Sequence, residues 1–195
     1  MTANRNTPVA LIRNAAPFAI RAERASDVVA REALLDACFG DNRHARTCQR
    51  LRDGRAPAAG LSLSAVHQDG RLVGTVRLWH VSAGGRSALM LGPLAVDDTA
   101  RGLGIGAALV QRALTVAKAR GHGAVILLGD APYYIRFGFS AARTGELSLP
   151  GAFERDRLLG LELVEGALDG ISGTIVPTGA KLPKAKAALT MPRAA

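Results

Sequence analysis

LGPLAVDDTARGLGIGAALVQRALTVAKARG, residues 91–121, places a strand, a glycine-rich turn and an amphipathic helix in immediate succession. Gly102, Gly104 and Gly106 stand where the chain must turn from strand to helix. Without Cβ atoms the backbone there reaches positive φ, and a ligand can approach the peptide N–H groups closely. The following helix carries Leu109, Val110, Ala113, Leu114 and Ala117 on one stripe, with Gln111, Arg112, Thr115 and Lys118 turned away. Lys118 and Arg120 in the last turn and Gly121 beyond mark its end. A helix opening from such a turn aims several unpaired N–H donors and the positive end of its dipole at one place, which makes that place an anion site.

Spacing narrows the anion. A P-loop ends in GK[ST], whereas this turn runs into Gly106, Ala107 and Ala108, with no lysine to reach a γ-phosphate. Residues 102–107 do fit the GxGxx(G/A) dinucleotide fingerprint, but that pattern wants an acidic residue about 20 positions on. Between Gly104 and Asp130 there is no acidic residue. A glycine-rich connection without a ligand stays open on the glycines alone.

A second motif follows the apolar run Ala124–Leu128: GDAPYYIRFGF, residues 129–139. Arg101-Gly102-Leu103-Gly104-Ile105-Gly106 matches the (Q/R)xxGx(G/A) signature of the GNAT superfamily of acyl-CoA-dependent N-acyltransferases, and Tyr134-Ile135-Arg136-Phe137-Gly138-Phe139 resembles its YxxxGF element. The two stand in the family's order, one helix and one strand apart. The resemblance runs from about Phe18 to Pro177, and with LxLxxGALxG near the end it is most similar to the YhbS-like branch. It implies an α/β (α+β) fold: a mixed, mostly antiparallel central sheet of six to seven strands, flanked by about four helices and splayed at the acyl-CoA site. It implies acetyl-CoA as cosubstrate, no metal, and acetyl transfer to an amine acceptor, small molecule or peptide, with a non-catalytic acyl-CoA-binding or sensor domain as the alternative. The diphosphate then falls to Arg101, Gly102, Leu103, Gly104, Ile105, Gly106 and Ala107, the pantetheine arm to Leu94, Ala95 and Val96, and the leaving sulfur to Tyr134. Many family members place an asparagine and a longer helix before that tyrosine, and GDAP here leaves the role of Asp130 open.

The domain organisation expected is a flexible N-terminus over 1–16, an acyltransferase domain over 17–177 and a basic tail over 178–195. At 195 residues one domain with a proper core is the expectation. No apolar run approaches the ~20 residues of a membrane span, and residues 1–20 lack the continuous apolar core of a signal peptide. Cys38 and Cys48 lie ten apart without a metal spacing, and read as reduced thiols in a cytoplasmic protein. The net charge of +9 is uneven: residues 1–60 hold ten basic and six acidic side chains, 61–180 eleven and ten, 181–195 four and none. Nucleic-acid modules interleave aromatics with basic residues, and the five Phe, two Tyr and one Trp all precede residue 154, so the tail does not point to nucleic acid. Sequence leaves the assembly state, homodimer included, open.

Outward from the central stretch, PFAIRA, residues 17–22, reads as a first strand. Ser26 reads as the N-cap of a helix with Val28, Val29, Ala33, Leu34, Leu35 and Ala37 on its apolar stripe, ending at Phe39-Gly40. A second helical piece covers 45–51. Arg43, His44, Arg46 and Arg50 cluster in a region that the family places over the acceptor pocket, and read either as a solvated face or as recognition of a carboxylate or phosphate. LSLSAVHQ, Asp69-Gly70 and RLVGTVRLWHV form the clearest hairpin, with Leu61, Leu63 and Ala65 on one face and Val76, Leu78 and His80 on a face of its partner. Residues 82–87 read as a flexible link, Gly92-Pro93 as a bulge in the next strand, and 139–149 and 158–164 as closing strands, with 171–177 an edge piece. For the general base, His80, Asp130 and a water relay stand as alternatives.

Overall fold

The computed structural model describes residues 17–183. Its strands and helices are β1 (Phe18–Ala22), α1 (Val28–Phe39), β2 (Ser62–His67), β3 (Leu72–Ala83), β4 (Arg86–Val96), α2 (Ile105–Ala119), β5 (Ala124–Leu128), α3 (Ala131–Tyr134), β6 (Leu147–Ser148), β7 (Leu158–Glu162), β8 (Gly173–Thr174) and β9 (Val176–Pro177). A seven-stranded sheet runs β1-β2-β3-β4-β5-β7, with β9 added beside β3. All its pairings are antiparallel except β4 with β5. The mixed, mostly antiparallel sheet is therefore present. Two of its helices are long and α3 is a single turn, with 3-10 turns supplying the remaining helical pieces among the described residues.

Alternation along the strands separates two apolar layers. Leu63, Ala65, Val76, Leu78, Leu89, Leu91, Val125 and Leu127 pack under α2, whose Ile105, Leu109, Val110, Ala113 and Ala117 are buried. On the opposite face Trp79, Val81, Ala88, Met90, Ala124 and Ile126 meet Leu51, Leu147, Leu149, Leu158 and Leu168, while α1 sets Leu34 and Leu35 against Ala95.

Several expectations shift. Residues 82–87 are a tight β3–β4 hairpin: Gly84 and Gly85 have φ of 55° and 81°, the double positive φ of a type I′ turn, so both strands extend into the segment expected to be a flexible link. Ser26 does not cap α1. Asp27 stands at the N-cap position without a side-chain bond to the helix, its buried carboxylate accepting instead from the Arg24 N–H, the Arg21 guanidinium and the Ser64 hydroxyl. Nor do Val28 and Val29 join the core, Val29 being 82% exposed, while Arg31 of the same helix is buried at 5%. Residues 139–149 hold a 3-10 turn over Ala141–Thr144 and only the two-residue β6, because the Thr144 hydroxyl reaches the Leu158 carbonyl (2.6 Å) and a single bridge joins Ser140 to Gly160. Residues 178–182, expected in the tail, are bonded into the domain: Thr178 N–H donates to the His80 carbonyl, Leu182 N–H to that of Gly54, and the Ala180 carbonyl accepts from Ala56. Residues 1–16 and the remainder of the tail lie outside the described residues.

Candidate functional site

β4 organises the site. It pairs with β5 only through Leu89 and Met90, while it runs on beside β3 to Val96. The bulge read at Gly92-Pro93 is where the strands part: Val76 faces Leu94 and Leu78 faces Leu91, so one residue of β3 opposes two of β4. The Trp79 indole N–H donates to the Gly92 carbonyl (2.6 Å) and fixes this bend. Beyond it, Asp97 N–H donates to the Val73 carbonyl. The alternation of an antiparallel ladder then turns the backbone groups of Ala95 toward β3 and those of Leu94 and Val96 into the gap. Of the three residues expected to bind along the strand, Ala95 thus has its backbone engaged elsewhere. The Val96 carbonyl meets the Cys38 thiol at 3.4 Å.

At the end of β4 the chain enters the glycine turn. Gly102 and Gly104 have φ of 82° and 76°, and Gly104 is the residue from which α2 opens. Gly106 differs from the expectation: it lies inside the first helical turn, and what it provides is clearance, since a Cβ there would stand 2.7 Å from the Tyr133 hydroxyl. The N–H groups of Gly102, Leu103, Gly104, Ile105, Gly106 and Ala107 donate to no acceptor among the described residues, the first helical bond being Ala108 N–H to the Gly104 carbonyl. No acidic residue stands in the first turn of α2 to occupy them. Arg101 is exposed and paired with Asp98 at 2.7 Å.

α3 brings Tyr133 and Tyr134 across from β4. Their rings meet edge to face at 4.9 Å, and Tyr134 also packs edge-on to Phe139 at 5.8 Å. Gly129 is needed for this placement, because a Cβ there would lie 2.4 Å from Cε2 of Tyr134. Burial first, then the neighbouring Tyr133 and Asp130, pushes the Tyr134 phenol up to about 12. It stays protonated across the physiological range.

A cleft of about 680 Å³ opens between these elements. Leu35 and Phe39 of α1, Met90 to Leu94 of β4, Gly129, Asp130, Tyr133 and Tyr134 form its walls, and Arg43, Arg46, Arg52, Phe153, Glu154 and Arg157 its remaining sides. Leu94 and Tyr134 therefore share one cavity, and Tyr133 spans from it to the start of α2. Asp130 is exposed, lines the cleft and makes no ion pair among the described residues. His80 is elsewhere: it faces His122 (5.4 Å), just past the C-terminus of α2, a helix about 22 Å long at 1.5 Å per residue. It does not line the cleft. Of the arginine cluster, Arg43 is held by Glu32 and Asp36 and Arg50 by the Pro150 carbonyl, while exposed His44 does not line the cleft. Sequence reasoning misses Arg52, Glu154 and Arg157, which come from segments with no motif of their own.

Both cysteines are free, and burial pushes their thiols up, Cys48 more completely enclosed than Cys38. Among the described residues no cluster of His, Cys, Asp and Glu could hold a metal, and no helix is long and apolar enough to cross a membrane.

Comparison with known proteins agrees with this geometry. The profile of the GNAT acetyltransferase family matches residues 29–139. YhbS of Escherichia coli, described as an uncharacterized N-acetyltransferase, is 33% identical over 163 residues, covering 80% of this chain and 93% of the relative. The crystal structure of E. coli YhbS in complex with CoA superposes with a TM-score of 0.71 at 30% identity, over 90% of this chain and 94% of that one. A GNAT acetyltransferase from Brucella melitensis, solved with acetyl-CoA, gives 0.56 at 29% identity, over 80% of this chain and all of that one. With its family profile matched over more than half its length and a third of its residues shared with YhbS across four-fifths of it, the chain belongs to the GNAT family of N-acetyltransferases.

Proposed function

We propose that residues 17–182 form an acetyl-CoA-dependent N-acetyltransferase in which the turn from Arg101 to Ala107 grips the coenzyme's diphosphate. The observation that carries this is the run of N–H groups from Gly102 to Ala107 with no protein acceptor among the described residues, beside a strand whose outer edge is open. Charged phosphate oxygens are well matched to such donors, because the helix dipole adds to the hydrogen bonds. The pantetheine arm lies along β4 and bonds to the backbone of Leu94 and Val96, as an added strand would. The cleft at Tyr134 receives the thioester and the acceptor.

The amine nitrogen attacks the thioester carbonyl, an oxyanion forms, the C–S bond breaks, and the electron pair leaves on sulfur. An amine of pKa ~10.4 costs about 4–5 kcal/mol to deprotonate at pH 7. Asp130, at the cleft wall, is the carboxylate we assign to take that proton, directly or through water. The N–H groups of β4 facing the gap stabilise the oxyanion, a single such donor contributing ~3 kcal/mol. Tyr134 acts on the leaving group. With its phenol near 12, transfer of its proton to a thiolate of pKa ~8.5 is uphill by about 5 kcal/mol. It therefore stabilises the thiolate by donating a hydrogen bond, with the proton staying on oxygen.

Thermal unfolding with and without acetyl-CoA tests the reading. At 100 times its dissociation constant the coenzyme adds ~2.7 kcal/mol of stability, a shift of several degrees, and an unshifted transition at millimolar acetyl-CoA contradicts it.

A further inference from the structure

The charges around the cleft do not balance. Arg43, Arg46, Arg52 and Arg157 line it against two carboxylates, Asp130 and Glu154. Arg43 is fully accounted for, its guanidinium held between Glu32 (2.6 Å) and Asp36 (2.5 Å). That pairing is the end of a chain of charges in which Glu23 takes both Arg31 and Arg77, and Arg31 also takes Glu32. Arg157 reaches the exposed Glu154 at 3.3 Å, and Arg46 lies over the Phe39 ring with one hydrogen bond to the Phe39 carbonyl. Arg52 differs from all of these. Its Nε donates to the Cys48 carbonyl (3.2 Å), which fixes the side chain, and its two terminal nitrogens make no hydrogen bond or ion pair among the described residues. The adjacent Asp53 carboxylate accepts from Gln49 (2.6 Å). Burial pushes the Arg52 guanidinium below its usual range, with Cys48 and Asp53 opposing the effect and Arg43 and Arg46 adding to it.

A half-buried guanidinium that faces the cleft with an unused fork of donors is a ready partner for an anion, and the planar fork fits a carboxylate or phosphate through two parallel bonds. The glycine turn does not line this cleft, so the coenzyme's diphosphate is met elsewhere. The walls between are apolar and aromatic: Leu35, Phe39, Met90, Leu91 and Phe153. We propose that the acceptor of this N-acetyltransferase carries a carboxylate or phosphate beside its amine, and that Arg52, with Arg46 and Arg157 at the rim, receives that group. This rests on the transferase reading above and adds the substrate class.

Matched acceptor pairs test it on the full chain at saturating acetyl-CoA, with the N-acetylated product followed by mass spectrometry. The pairs are free L-amino acids against their amides and O-phosphoethanolamine against ethanolamine, so the two arms separate carboxylate from phosphate. At least one anionic acceptor is expected to exceed its neutral counterpart tenfold or more in kcat/KM. Arg52→Met is expected to raise the KM of that acceptor at least tenfold with the KM of acetyl-CoA within twofold, and Arg52→Lys to restore part of the loss. Circular dichroism checks that the variants fold; should Arg52→Met fail to, the matched pairs and Arg52→Lys decide. Neutral amines acetylated as well as their anionic partners, no turnover of any anionic member, or an effect of Arg52→Met on acetyl-CoA instead each overturn the proposal. A protein that binds acetyl-CoA and acetylates only neutral amines loses this inference and keeps its transferase assignment, whereas one that binds no acetyl-CoA loses both.

Discussion

Two helices border the splayed strand, and they are held in opposite ways. α2 is seated by apolar contacts alone, with Ile105, Leu109, Val110, Ala113 and Ala117 buried and every charged residue turned outward. α1 buries Leu34 and Leu35 but also Arg31, and is tied to the sheet by carboxylate–guanidinium pairs: Arg21 with Asp27, and Arg31 and Arg77 with Glu23. α2 presents only unpartnered backbone N–H groups at its start, whereas α1 and the turns after it present side chains to the cleft. The difference suits the two substrates. In the function proposed above, a coenzyme common to the family is served by peptide groups at a fixed helix end, while the acceptor is met by arginines, aromatic rings and a carboxylate that can change without disturbing the other half.

The contrast can be broken first at the level of stability. Leu109→Ala removes a fully buried side chain at the α2 seat and is expected to cost about 3 kcal/mol, with no dependence on pH between roughly 3 and 7, read by denaturant unfolding. Asp27→Asn, which strips Arg21 of its charge partner, is expected to cost somewhat less, because Arg21 is partly in water. Here pH matters. The Arg21 guanidinium beside it, with the Arg24 N–H and the Ser64 hydroxyl, holds the Asp27 carboxyl well below the usual carboxylate range. A folded-state pKa lowered from an unfolded value of ~3.9 stabilises above that value and loses its contribution as pH falls through the folded one. Wild type should therefore lose stability below about pH 4, and the gap between it and Asp27→Asn should close over the same interval. A gap that persists unchanged to about pH 2 contradicts this account of α1.

Function separates the two sides further. Valine at both Gly102 and Gly104 forces side chains into left-handed backbone without a clash, since nothing lies within 4 Å of where either Cβ would stand, and should weaken acetyl-CoA binding at least a hundredfold, about 2.7 kcal/mol. Calorimetric titration reads it. Tyr134→Phe should lower kcat tenfold or more with acetyl-CoA affinity unchanged, and the wild-type rate should show no alkaline loss from this phenol below about pH 10. Full turnover in the variant removes the leaving-group role. Arg101→Ala should do least: the side chain is exposed and shared with Asp98, so a change under threefold in acetyl-CoA affinity is expected, and a loss as large as the glycine double variant's would shift the grip from backbone to side chain.

What can be read in the sequence follows the same division. α2, the Asp69-Gly70 hairpin and the glycine turn are local patterns, periodicities of 3.6 and 2 punctuated by residues with one conformational use, so their boundaries fall within a few residues of those observed. The Gly84-Gly85 turn carries an equally local signal that is easily taken for flexibility, although two adjacent glycines between alternating runs mark a tight hairpin. α1 is harder, because a helix held by ion pairs hides its buried face from an apolar count. Val28 and Val29 point outward while Arg31 and Asp27 point in. Residues 139–149 pass for strand in the sequence, whereas in the fold Ser140 and Thr144 satisfy backbone groups locally and across to Leu158. The cleft is the least legible. Phe39, Arg52, Leu94, Tyr134 and Arg157 meet there from five separate segments, and only Leu94 and Tyr134 belong to patterns visible along the chain.

The central claim is that peptide nitrogens at the start of α2 hold the coenzyme. Titrating isotopically labelled protein with CoA and following each backbone amide by NMR tests it most directly. The account predicts that the amides of Gly102 to Ala107 shift most, with those of Leu94 and Val96 next and Ala95 little changed. Saturable binding that leaves the Gly102–Ala107 amides in place would contradict it.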